Sequence, residues 1–287
     1  MIQRPASIHN KVTLITGASA GIGRATAHAF AAKGARLVLA ARTPSTLKEV
    51  AKELSQYKVP VVTVSADIGD DGDLQNLVSR VMDSFGQIDI LVNNAGICKG
   101  GLFHQMDPEI LSEVMQVNLH GTLRLTQLVL PIMLARGSGH IVNVSSLSAR
   151  FFIPGVSVYS ATKAGILAFS DTLRREVLPQ GIHVSTILGG PTRTGMIARA
   201  IEEVFRMNGN HHHQMLKRLV RFMDDPDVVA RAILLAVQYR KRQIMTGGSF
   251  VWLVSAFEAF TPRMLDRTLS QVDMQKIDVV TRRLGQH

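Results

Sequence analysis

Apolar positions along the chain follow two rhythms in turn. Short continuous runs at 12–16, 37–40, 61–64, 88–92, 141–144 and 184–188 read as buried strands. Between them the spacing becomes helical. Ile22, Ala25, Ala29 and Phe30 share one helix face, as do Leu47, Val50, Ala51 and Leu54. Leu74, Leu77, Val78, Val81, Met82 and Phe85 mark a third helix, and a long helical segment covers about 159–178. Punctuation agrees with this division. Gly17 stops the first run, Gly34 and Gly86 close helices, and Thr43-Pro44 and Asp107-Pro108 open them with a capping side chain before a proline.

Strands that are apolar throughout and alternate with helices predict a parallel sheet covered on both faces. The expected fold class is therefore α/β, a doubly wound parallel sheet of the Rossmann-like kind. Ligands in such sheets lie beyond the carboxyl ends of the strands. One catalytic domain over residues 1–248 is expected, with a helical lid insertion at about 195–225. Residues 249–287 read as a helical extension, because Phe250, Val251, Trp252, Leu253, Val254, Phe257 and Phe260 precede Pro262 and a basic stretch.

Composition narrows the class of protein. Of 287 residues, 46% are hydrophobic and 19% charged, enough to build a full core. The lone Cys98 forms no internal disulfide, and the first residues carry no apolar run of the signal-peptide kind. No run reaches the length of a spanning helix. A cytoplasmic protein is expected, attached to a membrane surface at most through the 249–287 tail. The net charge of +10 favours an anionic partner such as a phosphorylated cofactor. Neither zinc-finger spacing nor an aromatic-rich basic segment is present, so nucleic acid is not the expected partner. His211, His212 and His213 are adjacent rather than on one helical face, and they read as a polar loop; no metal is expected.

The first chemical motif follows the first strand. In Thr16-Gly17-Ala18-Ser19-Ala20-Gly21-Ile22-Gly23, glycines permit a tight turn and the close approach of an anion, and the helix that follows offers free N–H groups. A strand before and a helix after make a pyrophosphate site the expected reading. Further motifs come in order: Asn93-Asn94-Ala95-Gly96, Asn118, Ser145-Ser146, Tyr159-Ser160-Ala161-Thr162-Lys163, and Gly189-Gly190-Pro191-Thr192-Arg193-Thr194. On these residues the chain, from about 10 to 247, resembles the short-chain dehydrogenase/reductase family.

The resemblance implies hydride transfer between a nicotinamide dinucleotide and a carbonyl or alcohol. Tyr159 is the implied acid/base, Ser146 binds the substrate oxygen, Lys163 also holds the nicotinamide ribose, and Asn118 holds a water of a proton path. Ser145 and Ser148 are the neighbours to be distinguished from Ser146. Tyr159 and Lys163 are four apart and share a helix face, so a nearby lysine cation is expected to lower the phenol pKa. For the cofactor, Gly17, Ser19, Gly21, Ile22 and Gly23 form the phosphate turn; Asp67 and Ile68 meet adenine; Asn94 and Gly96 line the floor; Thr192 and Thr194 hold the carboxamide.

The second strand ends Ala40-Ala41-Arg42. In the family an acidic residue at the position of Ala41 serves the unphosphorylated cofactor. Alanine there, followed by Arg42, whose fork suits a phosphate, points to NADP(H) rather than NAD. Ala20 stands where many phosphate-preferring relatives carry a second basic residue. Gly189 stands where proline is common.

The implied substrate is a ketone or secondary alcohol. Phe151, Phe152 and Met196 suggest an apolar pocket, and the tail is loosely similar to those of reductases of 3-ketosphinganine and other long-chain ketones. A small polar ketone or sugar, and a non-catalytic dinucleotide-binding regulator, are the alternatives. A homodimer or homotetramer through the helices around 111–134 and 159–178 is implied by the resemblance.

Overall fold

A computed structural model describes residues 5–151, 154–195 and 223–248. Most of the expected lid at about 195–225, with Met196 and the three histidines, and also Phe152 and the 249–287 stretch, lie outside the described residues. Seven parallel strands form one sheet in the order β3-β2-β1-β4-β5-β6-β7. They are β1 (Val12–Thr16), β2 (Arg36–Ala41), β3 (Val61–Ser65), β4 (Ile90–Asn93), β5 (Gly139–Ser146), β6 (Ile182–Gly189) and β7 (Gln243–Met245). The doubly wound reading holds, and the order reverses between β1 and β4.

Strand alternation sorts the core into two layers. Ile15, Leu37, Leu39, Val92, Val142 and Ile187 face one side, under α1 (Gly21–Ala31), α2 (Pro44–Leu54) and a helix at Pro226–Gln238, here α7. Leu14, Val38, Ala40, Leu91, Ile141 and Val184 face the other, under α3 (Asp71–Phe85), α5 (Gly121–Ala135) and α6 (Ser157–Val177). Burial on both faces explains why these strands carry unbroken apolar runs. A shorter helix, α4 (Pro108–Met115), precedes α5.

Several boundaries differ from the pattern. β1 is as expected, but β5 and β6 extend further at both ends, because pairing continues through polar His140, Ser145 and Ser146. β4 starts at Ile90, after Ile88 and Asp89 have entered the core. Thr43 precedes α2 without a side-chain cap bond; its carbonyl instead accepts from Thr46 Oγ1 at 2.9 Å. Between α4 and α5 the helix widens into a π-helical turn, Gln116–His120, where the Gly121 N–H reaches back to the Gln116 carbonyl. Asn118 is its buried residue.

Candidate active site

The expected site residues meet at the carboxyl ends of β1, β4, β5 and β6. The turn after β1 is held shut by its neighbours. Thr16 Oγ1 accepts from the N–H groups of Asn94 and Ala95, both at 3.0 Å, and donates to the Val92 carbonyl at 3.3 Å. Asn94 Nδ2 donates to the Thr16 carbonyl at 2.9 Å. The polar ends of β1 and β4 are thereby stitched together where the strand order reverses.

This turn admits almost no side chain. A Cβ at Gly23 would lie 2.1 Å from the Gly17 carbonyl oxygen, and Gly17 has φ +64° with Asn94 Nδ2 2.9 Å from any Cβ. Bulk is excluded, and α1 begins after Ala20, which offers no capping side chain. By contrast, Asp70 and Asp107 cap α3 and α4 with their carboxylates. The first N–H groups of α1 are thus left for a ligand. Thr194 lies against this turn, its Cγ2 3.0 Å from a Cβ at Gly21, and its buried Oγ1 has no hydrogen-bond partner among the described residues. A tight glycine cradle, an uncapped helix start and an orphaned hydroxyl fit a dinucleotide.

The other expected cofactor residues fall around the same edge. Ser19 and Ile22 are half-buried in the turn, and Ile22 packs on the core. Arg42 is exposed just past β2, beside buried Ala41. Asp67 Oδ1 accepts from the Gly69 N–H at 2.8 Å, and Ile68 is buried against Gly121. Thr192 is buried and its hydroxyl donates to the Gly190 carbonyl at 2.8 Å. Gly189 ends β6 opposite Ser146 and nothing crowds it, so the strand keeps its course without the common proline.

Tyr159 and Lys163 project from the first turns of α6. Lys163 is 5% exposed, and β5 grips it twice: Nζ donates to the Val144 carbonyl at 3.0 Å, and its own carbonyl accepts from Ser145 Oγ at 2.8 Å. Its Nζ lies 5.7 Å from the Tyr159 ring centre and 3.5 Å from a Cβ built at Gly96. A Cβ at residue 96 would press on Asn118 Oδ1 at 3.1 Å and stand in ordinary contact with the ammonium.

The three serines separate clearly. Ser145 serves the helix backbone, and Ser148 is buried with a hydroxyl that has no partner among the described residues. Ser146 is half-buried, accepts from the Ser148 N–H at 3.2 Å, and lies close enough to the phenol of Tyr159 to favour its anion.

One expectation needs correction. Lys163 was expected to lower the Tyr159 pKa, yet the phenol is held above its usual value. Burial is the main cause, Cys98 adds to it, and Ser146 opposes it. Burial also brings Lys163 down to about 8, with Cys98 opposing. Removing water from around each group disfavours its charged form, and this is the main cause of both shifts. The Asn118 amide is held by the loop after β4: Nδ2 donates to the Ile97 carbonyl and Oδ1 accepts from the Ile97 N–H, both at 2.8 Å. The side chain thereby clamps that loop against the π-helical turn.

Thr16, Asn143, Ser145, Thr162 and Ser170 also shape the site, though spacing alone does not single them out. Their signal is a polar residue at a fully buried position of a strand or helix. Among the described residues no group of His, Cys, Asp and Glu is placed to hold a metal ion, and no helix is long and apolar enough to cross a membrane.

Comparison with known proteins agrees with this geometry. A family profile described as short chain dehydrogenase matches residues 11–204. Dehydrogenase/reductase SDR family member 7B of Bos taurus is 32% identical over 271 residues, covering 92% of this chain and 82% of that protein. A Drosophila melanogaster SDR family protein 7-like relative is 35% identical, covering 82% and 72%. Among solved structures, L-sorbose reductase from Gluconobacter frateurii, complexed with NADPH and L-sorbose, has a TM-score of 0.79 at 30% identity, covering 85% of this chain and 98% of that one. A variant of actinorhodin polyketide ketoreductase solved with NADPH has a TM-score of 0.78 at 30% identity, with the same coverage. The chain belongs to the short-chain dehydrogenase/reductase family.

Proposed function

We propose that this oxidoreductase interconverts a ketone and a secondary alcohol with NADP(H), on a moderately large apolar or lipid-like substrate. The observation that carries the reaction is the joint placement of Tyr159, Ser146 and Lys163 at the end of β5, beside a glycine turn built for a dinucleotide.

When bound, the nicotinamide supplies or accepts the hydride. The protein's residues handle the oxygen. In reduction, Ser146 Oγ–H and Tyr159 O–H donate to the carbonyl oxygen, where negative charge develops. A phenol held protonated by burial is ready to act as the acid. Lys163, fixed by β5, places positive charge under the phenolate left after proton transfer and stabilises it. Gly17, Ser19, Gly21, Ile22 and Gly23 receive the phosphates, Asp67 and Ile68 the adenine end, and Asn94, Gly96, Thr192 and Thr194 the nicotinamide end.

Arg42 supports the phosphorylated cofactor. It is exposed, whereas Arg24 is held by Glu53 through two hydrogen bonds at 2.9 and 2.7 Å. The relatives solved with NADPH lend weight to the same choice. The apolar substrate rests on the turn after Ser146, where Leu147, Ala149 and Leu188 cluster with Phe151, Leu167 and Met245. A dimer or tetramer is proposed through the helices around 111–134 and α6, where Met115 and Leu134 are exposed; light scattering would measure its mass.

The test is cofactor oxidation over ketones of rising chain length, with NADPH and NADH in parallel. Turnover should favour NADPH and rise with apolar length. Arg42→Ala should raise KM for NADPH about tenfold and leave KM for NADH within about twofold, the scale of one charge-assisted phosphate contact. Equal loss with both cofactors would refute the NADP assignment, and a maximum at short polyhydroxy ketones would replace the apolar substrate with a sugar-like one.

A further inference from the structure

Beneath the site, side chains of β4, β5, α5 and α6 form one circuit of buried hydrogen bonds. The Asn118 carbonyl accepts from Thr122 Oγ1 at 2.9 Å, and the Thr122 carbonyl accepts from Thr126 Oγ1 at 2.8 Å. Asn93 Nδ2 then donates to Thr126 Oγ1 at 3.0 Å and to Asn143 Oδ1 at 2.8 Å. Asn143 Nδ2 donates to Ser170 Oγ at 2.8 Å, which donates to the Ile166 carbonyl at 2.6 Å. One turn back along α6, Thr162 Oγ1 accepts from Asn118 Nδ2 at 3.3 Å and donates to the Tyr159 carbonyl at 2.7 Å. That contact returns the chain of bonds to α6, whose backbone between residues 162 and 170 completes the circuit. Lys163 lies between its two points of attachment on α6.

Sheet cohesion does not require these groups. Asn93 and Asn143 are register partners on adjacent strands whose neighbours Leu91, Val92, Ile141, Val142 and Val144 are all apolar. An apolar pair would join the strands without the cost of burying amides. Asn93, Asn118, Thr122, Thr126, Asn143, Thr162 and Ser170 are each 0–4% exposed, and each takes part in at least one side-chain hydrogen bond of the circuit. Directional buried hydrogen bonds admit few arrangements, where apolar packing tolerates small slips. Here the arrangement it fixes is the height and rotation of α6 relative to the π-helical turn. Those two parameters decide where Lys163 Nζ meets Gly96 and where Tyr159 stands.

We propose that Asn143 and Ser170 are positioning residues for the reaction, acting through this circuit to hold Lys163 and Tyr159 in register with Asn118 and the loop after β4. The inference rests on Tyr159 and Lys163 being the acid/base pair.

Ser170→Ala, Asn143→Val and Asn143→Asp are compared with Tyr159→Phe, using NADPH and 2-decanone. Ser170→Ala should lower kcat about fivefold and Asn143→Val more than about tenfold, the scale expected for sub-ångström misplacement of a catalytic group. KM for NADPH should stay within about twofold, since the phosphate turn lies outside the circuit. The pH limb of kcat should move. Asn143→Asp, neutral when buried, keeps an acceptor for Asn93 and a donor for Ser170, and should recover most of kcat. Without any turnover, hydrogen exchange should quicken at amides 116–122 in Ser170→Ala, at the far side of the circuit. Folded variants with native kcat, an unmoved pH limb and unchanged exchange at 116–122 would overturn the proposal, as would Asn143→Asp failing as badly as Asn143→Val. If Asn143→Val does not fold, Ser170→Ala decides. Full rate in Tyr159→Phe would instead overturn the acid/base reading, whereas loss there with native rates in both circuit variants would sink the positioning role alone.

Discussion

The two ends of one sheet treat their polar groups in opposite ways. At the amino ends, Asp89 is 4% exposed and fully engaged. It accepts from the Val12 N–H and Gln87 Nε2 at 2.8 Å and from Arg136 Nη2 at 3.1 Å, with Lys11 Nζ at 3.5 Å. At the carboxyl ends, the hydroxyls of Ser148 and Thr194 are buried without partners among the described residues, and Tyr159 and Lys163 are desolvated enough to displace both pKa values. The first end completes itself. The second is left to be completed by a ligand, and unsatisfied buried groups are tolerated there because binding satisfies them.

The sharpest way to break this contrast is at Tyr159. Removing its hydroxyl with Tyr159→Phe should cut turnover by at least about 100-fold, the range of general acid catalysis, while thermal unfolding barely moves. A large loss of stability would mean that the phenol holds the fold together, and the contrast would fail. Asp89→Ala should do the reverse. It strands the buried Val12 N–H and removes the partner of two half-exposed cations, Lys11 and Arg136, and should cost about 2 kcal/mol of stability with native kcat per folded molecule. Burial pushes the Asp89 carboxyl up, but Val12, Lys11 and Arg136 together hold it below its ordinary value. Its contribution is therefore present above about pH 4 and is lost as pH falls below it. Denaturant melts of the variant set beside activity per folded enzyme check both halves of the statement.

The same contrast explains what could be read from the sequence. Strands and helices facing the core on both sides were legible because burial imposes an apolar period, as in β1 and α3. The glycine turn and the Tyr159–Lys163 pair were legible because their spacing is itself the signal. α7 was missed, although Asp225-Pro226 opens it and Val229, Ala232, Ile233, Ala236 and Val237 line its buried face. The widening at Asn118 shifts the helical phase by one residue, but no proline or capping side chain marks where it starts. The raised Tyr159 pKa was read in the wrong direction. Spacing shows that Lys163 is near, but only the packed structure shows how much water both groups have lost. Asn143 and Ser170 look like stray polar residues in apolar segments until the register sets Asn143 between Asn93 and α6.

The smallest expected effect lies with a second group at the amino ends. His140 Nε2 is 2.8 Å from Ser185 Oγ, and that hydroxyl donates to the Lys241 carbonyl at 2.5 Å. With its hydrogen so committed, Ser185 Oγ must accept from His140, which places the imidazole proton on Nε2. Burial lowers the His140 pKa to about 3, with further repulsion from His183, whose ring centre is 5.7 Å away, and from Arg240. His183 is lowered as well, by burial and then by Arg240. Unfolded, either imidazole takes a proton near pH 6.5; folded, neither does so until lower pH. The unfolded chain therefore binds more protons below 6.5. Stability is complete above that pH and falls as pH drops, by up to about 1.4 kcal/mol per unit for His140 alone. His140→Gln keeps an N–H donor at similar reach but does not titrate, so its stability between pH 6.5 and 5 should fall less steeply than that of the native protein. Equal slopes in urea melts would show that this end does not hold its histidine neutral, and that its polar groups are less fully settled than those around Asp89.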